Sequence, residues 1–188
     1  MRKVIVFNSV SLDGYFTDAN ADMSFAHNGN PDLEWDAFVA NNANGQGTLL
    51  FGRITYELMA SFWPTPLAAK QMPVVAERMN NLSKVVFSRT LDKVSWRNTK
   101  LVKDDLSGEI RKMKQETGED MVILGSGSIV SQLTHHGLID EYHFLIQPIV
   151  AGKGPRLFEA GKNLTLELIG SKTFRSGVVA LHYKNIHK

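Results

Sequence analysis

Three apolar runs in this chain end in groups suited to holding an anion. In FGRITYE, residues 51–57, a hydrophobic segment meets Gly52-Arg53, with Thr55 in the turn that follows. In VVFSRT, residues 85–90, the run ends in Ser88-Arg89. In MVILGSGSIV, residues 121–130, it ends in Gly125-Ser126-Gly127-Ser128, with Ile129 opening the next apolar stretch. Glycines carry no Cβ, so another molecule can come close to the backbone at 125 and 127. A helix starting near Ser128 would aim its first amides and the positive end of its dipole at that gap, and both favour a negative ligand. Arginine in the first turn of a helix opposes the dipole. An anion held between the Arg53 guanidinium and the helix amides would reverse that cost.

Each feature also has a plainer use. Gly125 to Ser128 suits a ligand-free strand-to-helix turn, and a single surface arginine commonly keeps its head in water. Taken together, three such ends on one sheet edge suit an elongated polyphosphate, such as a dinucleotide. Two ends carry arginine and none carries an acid, which favours a phosphate on the ribose and hence NADP over NAD. The full dinucleotide fingerprint is absent. Its third glycine position is Val130, and no acidic residue ends a strand about twenty positions on.

Other chemistry-bearing residues read differently. Asp32, in PDLEW, sits where an acid interacts well with a helix dipole, as does Glu34. Facing a bound nicotinamide, the same carboxyl would hold a cationic substrate or relay a proton. Asp13, in SLDG, precedes a glycine and reads as a turn residue. His135 and His136 are adjacent on a helix, so they do not share a face, and His143 lies within a strand; no metal site is expected. Lys84, Arg89, Lys93, Arg97, Lys100 and Lys103 follow no single face and are interrupted by acids, which reads as solvated surface rather than a nucleic-acid site.

The elements that must position these residues are those of an α/β domain. A length of 188 residues suits one domain with a core, and 43% hydrophobic against 21% charged residues is ordinary for a soluble globular protein. A net charge of +2 argues for neither nucleic acid nor a membrane surface. The lack of cysteine excludes disulfides, cysteine-based zinc sites and a thiol nucleophile. The apolar run ending at Phe7 is too short for a signal-peptide core, so a cytoplasmic location is expected.

Val4–Phe7, Thr48–Phe51, Lys84–Phe87, Met121–Leu124 and Tyr142–Val150 read as strands covered on both faces. Between them, helical spacing covers a segment around Leu33, Ala37 and Ala40, then Thr55–Phe62, part of Ala68–Leu82 from Pro73, Asp105–Thr117 with Gly118 as its C-cap, and Ile129–His136 capped by Ser128. Alternating strands and helices predict a mostly parallel sheet. Leu164–Ile169 and Val178–Tyr183 have no long helix between them, so the sheet ends in antiparallel strands. Ser11 to Asn30 has no clean period, and a loop of about twenty residues in a compact domain is often functional.

In order, SLDG, GRITYE, VFSRT, ILGSGSIVSQL and GLIDEYHFLIQPIVAGKGPRLF resemble the dihydrofolate reductase superfamily over nearly the whole chain. The last stretch is similar to its branch containing the reductase domain of bacterial riboflavin biosynthesis. The resemblance implies a three-layer mixed sheet flanked by helices, a single domain over 1–188, and reduction of a small polar molecule at a C=O or C=N bond with NADPH. It implies that Gly52, Arg53 and Thr55 meet the 2′-phosphate side and the pyrophosphate. Ser88 and Arg89 flank the adenosine 2′-phosphate, and Gly125, Ser126, Gly127, Ser128 and Ile129 lie over the pyrophosphate and nicotinamide ribose. Ser9 to Phe16 orient the nicotinamide carboxamide. Asp32 falls at the place of the acid that binds pterin in folate enzymes, and a homodimer fits the family. Two features depart from the folate enzymes: Gly125-Ser126 stands for a Gly-Gly pair, and Ser11 to Asn30 holds no tryptophan. Without cysteine or room for a zinc deaminase in these 188 residues, the chain is not expected to be the two-step riboflavin enzyme. The alternative is a nucleotide-binding protein of the same fold that does not catalyse.

Overall fold

The structure is a computed structural model that describes residues 1–17, 34, 35, 37, 38, 47–158 and 163–186. Asp32 and most of the Ser11 to Asn30 loop lie outside the described residues. Eight strands form one sheet: β1 (Val4–Ser11), β2 (Thr48–Gly52), β3 (Ser83–Phe87), β4 (Thr99–Val102), β5 (Met121–Ile123), β6 (Glu141–Gln147), β7 (Leu166–Thr173) and β8 (Val179–Asn185). Their spatial order is β4-β3-β2-β5-β1-β6-β8-β7. Strands β1 to β6 pair in parallel, and β8 pairs antiparallel with both β6 and β7. The mixed dihydrofolate reductase-like sheet expected from the sequence is present.

Five described helices follow from local signals. They are α1 (Arg53–Phe62), α2 (Pro66–Gln71), α3 (Pro73–Asn81), α4 (Leu106–Gln115) and α5 (Gly127–His135). Proline opens α2 and α3, where its missing N–H costs nothing. Thr65 caps α2 by accepting from the Ala68 amide, and Asp105 caps α4 by accepting from Ser107.

Some boundaries differ from the sequence reading. β4 is an edge strand of four residues, half polar, so it offers no apolar run to recognise. Helix α4 ends with Glu116 as its C-cap, two residues before Gly118. The residue before α5 is Ser126, not Ser128, because the chain turns through two positive φ angles, 82° at Gly125 and 73° at Ser126, before entering the helix.

Strand alternation divides the core between the two faces of the sheet. Leu50 joins Val4, Val6, Ile110, Ile123, Val130 and Leu133 in the cluster containing α4 and α5 residues. Its neighbours Leu49 and Phe51 pack with Tyr56, Met79, Val86 and Trp96 in a second cluster containing α1 and α3 residues. Every residue of β2 is buried, as its unbroken apolar sequence requires. A third, smaller cluster forms on the C-terminal strands, where Phe174 sets its ring edge against Trp35 and Phe38.

The edges of the sheet are unlike each other. β7 is mostly exposed, including Leu168 and Ile169, and its register with β8 shifts between Leu168 and Gly170. β4 carries Lys100 on its exposed side. The N-terminal ends of the strands are closed by ion pairs. Lys114 reaches Asp140, whose carboxylate also accepts from the Val4 amide at 2.7 Å, and Lys3 pairs with Glu141 at 2.7 Å. At the opposite, C-terminal ends no such network stands over β2, β3 and β5 among the described residues.

Lys84 is buried inside this frame. Its Nζ donates to Met79 O at 2.8 Å, Leu82 O at 2.6 Å and Asn80 O at 3.3 Å, and lies 4.5 Å from the centre of the Trp96 ring. Burial, with a contribution from the Arg97 charge, pushes it down to about 8, and the carbonyls at the end of α3 hold the proton at neutral pH. Lys84→Met should leave those carbonyls without their donor and cost about 1–3 kcal/mol, read as a lower urea midpoint.

Candidate active site

The strands β3, β2 and β5 are consecutive neighbours, so the three turns singled out in the sequence stand side by side on one edge. Adjacent strands lie roughly 4.8 Å apart, so the row spans about 10 Å from the end of β3 to the end of β5. β1 is next. From β1 the chain runs outward to β2 on one side, whereas from β5 it crosses over β1 to β6 on the other. In open α/β sheets, the crevice at such a reversal is where ligands bind. Pairing of β1 with β5 stops at Val6↔Ile123, while pairing with β6 continues to Ser11↔Gln147. Lys3 O accepts from Met121 N, so strand alternation turns the backbone of Ser9 to the β5 side, beyond its last partner. One position earlier, buried Asn8 has neither amide atom bonded.

Two turns of the row are tied together by one hydroxyl. Ser126 Oγ accepts from the Gly52 amide at 2.6 Å and donates to Thr55 Oγ1 at 3.0 Å. Ser126 and Thr55 are both buried. A Cβ on Gly52 would stand 2.6 Å from Ser126 Oγ, so this contact explains the glycine. Gly125 is fixed by its own φ and by close packing, since a Cβ there would meet Thr55 Cγ2 at 3.0 Å and Phe16 Cζ at 3.1 Å. Around Gly127 a Cβ would find only ordinary contacts, the nearest at 3.7 Å.

The helix N-termini behind these turns have no side-chain cap, in contrast with α2 and α4. The amides of Ile129 and Val130 both bond Ser126 O, at 2.9 and 3.1 Å. Those of Ser126, Gly127 and Ser128 have no acceptor among the described residues. Beside β4 the sequence instead presents Asp104 and Asp105, so the anion-suited ground ends at β3.

The remaining expected site residues are placed as follows. Phe16 is buried against Gly125 and is held by its amide, which donates to Pro155 O at 2.9 Å. Ile129 is buried in the core, leaving the amides that precede it to face the gap. Ser128 is exposed. Ser88 Oγ accepts from the amides of Thr90 at 3.2 Å and Leu91 at 3.0 Å, shaping the turn that carries Arg89. Arg89 is exposed and has no ion pair among the described residues. Arg53 is exposed too, but its guanidinium pairs with Glu57 at 2.9 Å, one helical turn on. Its opposition to the helix dipole is thus offset locally.

Two positioning residues escape a reading by type. Tyr56 packs in the core with its hydroxyl accepting from the amides of Ser95 and Trp96, both at 3.0 Å, which pins the segment after Arg89. A tyrosine in a helical pattern gives no sign of that reach. Asp13 is indeed a turn residue, but it binds a distant loop. Its carboxylate accepts from Ser11 Oγ at 2.6 Å, Ala151 N at 3.0 Å and Gly152 N at 2.8 Å. The Ser11 hydroxyl, foremost, and these amides hold the Asp13 carboxyl down at about 2.

With this geometry in place, comparison with known proteins is direct. The model of the RibD C-terminal domain family matches residues 2–180, and the chain belongs to that family. The Bacillus subtilis protein YyaP, itself uncharacterized, is 27% identical over 183 residues, covering 97% of this chain and 94% of its own. A protein of Shewanella sp. PV-4 ascribed to riboflavin biosynthesis superposes with a TM-score of 0.75 at 23% identity, covering 98% of this chain and 99% of its own. Dihydrofolate reductase of Enterococcus faecalis, in complex with NADP(H), superposes with a TM-score of 0.66 at 13% identity, covering 98% and 97%. These structures share the fold.

Ser126→Ala should remove the acceptor of a buried amide and cost about 1–3 kcal/mol. Ser126→Gly, which relieves the positive φ while losing the same bond, should cost less. Urea denaturation of both variants checks the order. The Asp13 carboxyl, lowered from its ordinary 3.8, favours the folded state above that value and loses the effect only as pH falls through about 2. Protection of the Gly152 amide from exchange should therefore hold between pH 7 and pH 4 in the native chain and drop at once in Asp13→Ala.

Proposed function

We propose that the chain is an NADPH-dependent reductase acting on a C=O or C=N bond of a small polar molecule. The observation that carries the reading is the row of three adjacent strand ends, with uncapped helix amides at two and, at the third, an arginine without an ion pair among the described residues. The fit to a phosphorylated nicotinamide coenzyme rests on this chain's own atoms. The amides at Ser126, Gly127 and Ser128 suit a pyrophosphate. Arg89 suits a phosphate on the ribose. The backbone of Ser9 suits a carboxamide. The family and the fold shared with an NADP(H)-complexed reductase point the same way.

The coenzyme, when bound, supplies the hydride. The protein's part is to bind, to align the reacting faces and to keep water out. Phe16 and Ile129 give the crevice an apolar floor, and Ser126 fixes the two turns in register. Asp32 is proposed as the acid that holds the substrate or hands it a proton. The substrate class extends to pyrimidine- or pterin-like rings.

Titrating the protein with NADPH and NADH, followed by nicotinamide fluorescence, tests the reading. Arg89→Ala should weaken NADPH by about tenfold, the value of one charge-assisted contact, and leave NADH unchanged. Arg53→Ala should do less, because Glu57 already shares its charge. Equal loss for both coenzymes would remove the 2′-phosphate assignment. NADPH binding without turnover on a broad panel of carbonyl and imine acceptors would favour a nucleotide-binding protein that does not catalyse.

A further inference from the structure

A second cluster of functional side chains lies on β6 and β8, to the side of the row of turns. His143 of β6 faces His182 of β8 in antiparallel register, and Glu141 lies two residues before His143 on the same face. The imidazole centroids are 3.9 Å apart. Glu141 Oε2 stands 3.0 Å from His182 Nε2 and 3.5 Å from His143 Nε2, and one ligand atom from each residue fits within 4.8 Å. Glu141 pairs with Ile5 at the start of β6, whereas Gln147 pairs with Ser11 at the crevice. Ser9, at the crevice, pairs with Leu145, so His143 stands two residues, about 7 Å along the strand, from that level.

We propose that Glu141, His143 and His182 form a binding site for a zinc-class divalent cation, with solvent completing the coordination. Zinc bonds of about 2.0–2.1 Å in tetrahedral geometry separate neighbouring ligand atoms by about 3.3 Å, and the observed 3.0 and 3.5 Å bracket that value. A hydrogen-bonded triad accounts for the cluster less well. One carboxylate oxygen serves both rings, and His143 Nε2 is buried without a hydrogen bond. Lys3 takes the other oxygen, Glu141 Oε1, at 2.7 Å and leaves Oε2 for the rings, as an outer partner orients a metal-binding carboxylate. The side chains are 14–32% exposed, so an ion can enter and keep a water. The bound ion would clip β8, and with it the antiparallel hairpin, to the last parallel strand.

Sequence reasoning passed over this site because it weighed His143 alone. Its partner lies 39 positions away, and only the strand register joins them.

The test uses the full chain, stripped with a chelator and titrated with Zn²⁺ alone against a colorimetric competitor. The expected result is one equivalent bound with a dissociation constant of about ten micromolar or tighter, and a raised melting temperature. His143→Ala and His182→Gln should each weaken binding by at least about tenfold, while unfolding cooperatively in urea without metal. A His135→Ala/His136→Ala variant should bind as the native chain does. No binding in the native chain overturns the proposal. So does undiminished binding in His182→Gln, or loss confined to the His135/His136 variant.

Discussion

The hydroxyl of Ser126 is the interaction on which the edge carrying the three turns depends. It joins two turns that are 74 positions apart in sequence and belong to neighbouring strands. Its position carries a cost, since a residue with a Cβ in left-handed conformation gives up roughly 1–2 kcal/mol. Strain of this kind persists where the surroundings over-determine it, and it gathers at ligand clamps. Here two hydrogen bonds and the glycine at 52 are the over-determining surroundings. Because Ser126 takes the awkward conformation before the helix begins, the amides that follow emerge pointing at the gap rather than into the core.

Stability and site are divided between the two ends of one sheet. The N-terminal ends are shut by paired charges, and the helices on both faces pack against a fully buried β2. The C-terminal ends carry the reversal in strand order and, among the described residues, amides without acceptors and an arginine without an ion pair. A parallel sheet makes this division natural, because every β-to-α turn comes out on one side. Asp13 and Tyr56 then fix the loops around the opening from outside it, and within the turns the structural side chains are those of Ser88, Ser126 and Thr55.

Much of this was legible in the sequence because the signals were local. An unbroken run such as TLLF announces a buried central strand, and Gly-Ser-Gly-Ser between two apolar segments announces a turn where backbone is exposed. The order of strands turned that suggestion into a row, and order is not local: nothing in VVFSRT says that its strand lies beside that of FGRITYE. Side-chain reach was the other blind spot. Asp13 looked like a turn residue because the amides it binds lie 138 and 139 positions away. Thr55 and Ser126 each looked free for a phosphate, whereas the structure spends both hydroxyls on each other. The edge strand β4 was missed because half-exposed strands keep polar residues, and their pattern fades into loop.

The slipped register between Leu168 and Gly170 has a consequence for the life of the protein in a crowded solution. Among the described residues, β7 leaves a flank of unpaired peptide groups next to exposed Leu168 and Ile169, which is the kind of surface on which a stray extended segment can anneal. A bulge throws that flank out of plane and spoils the even spacing a newcomer would need. Straightening it, by deleting one residue there, would remove that protection from the outermost strand.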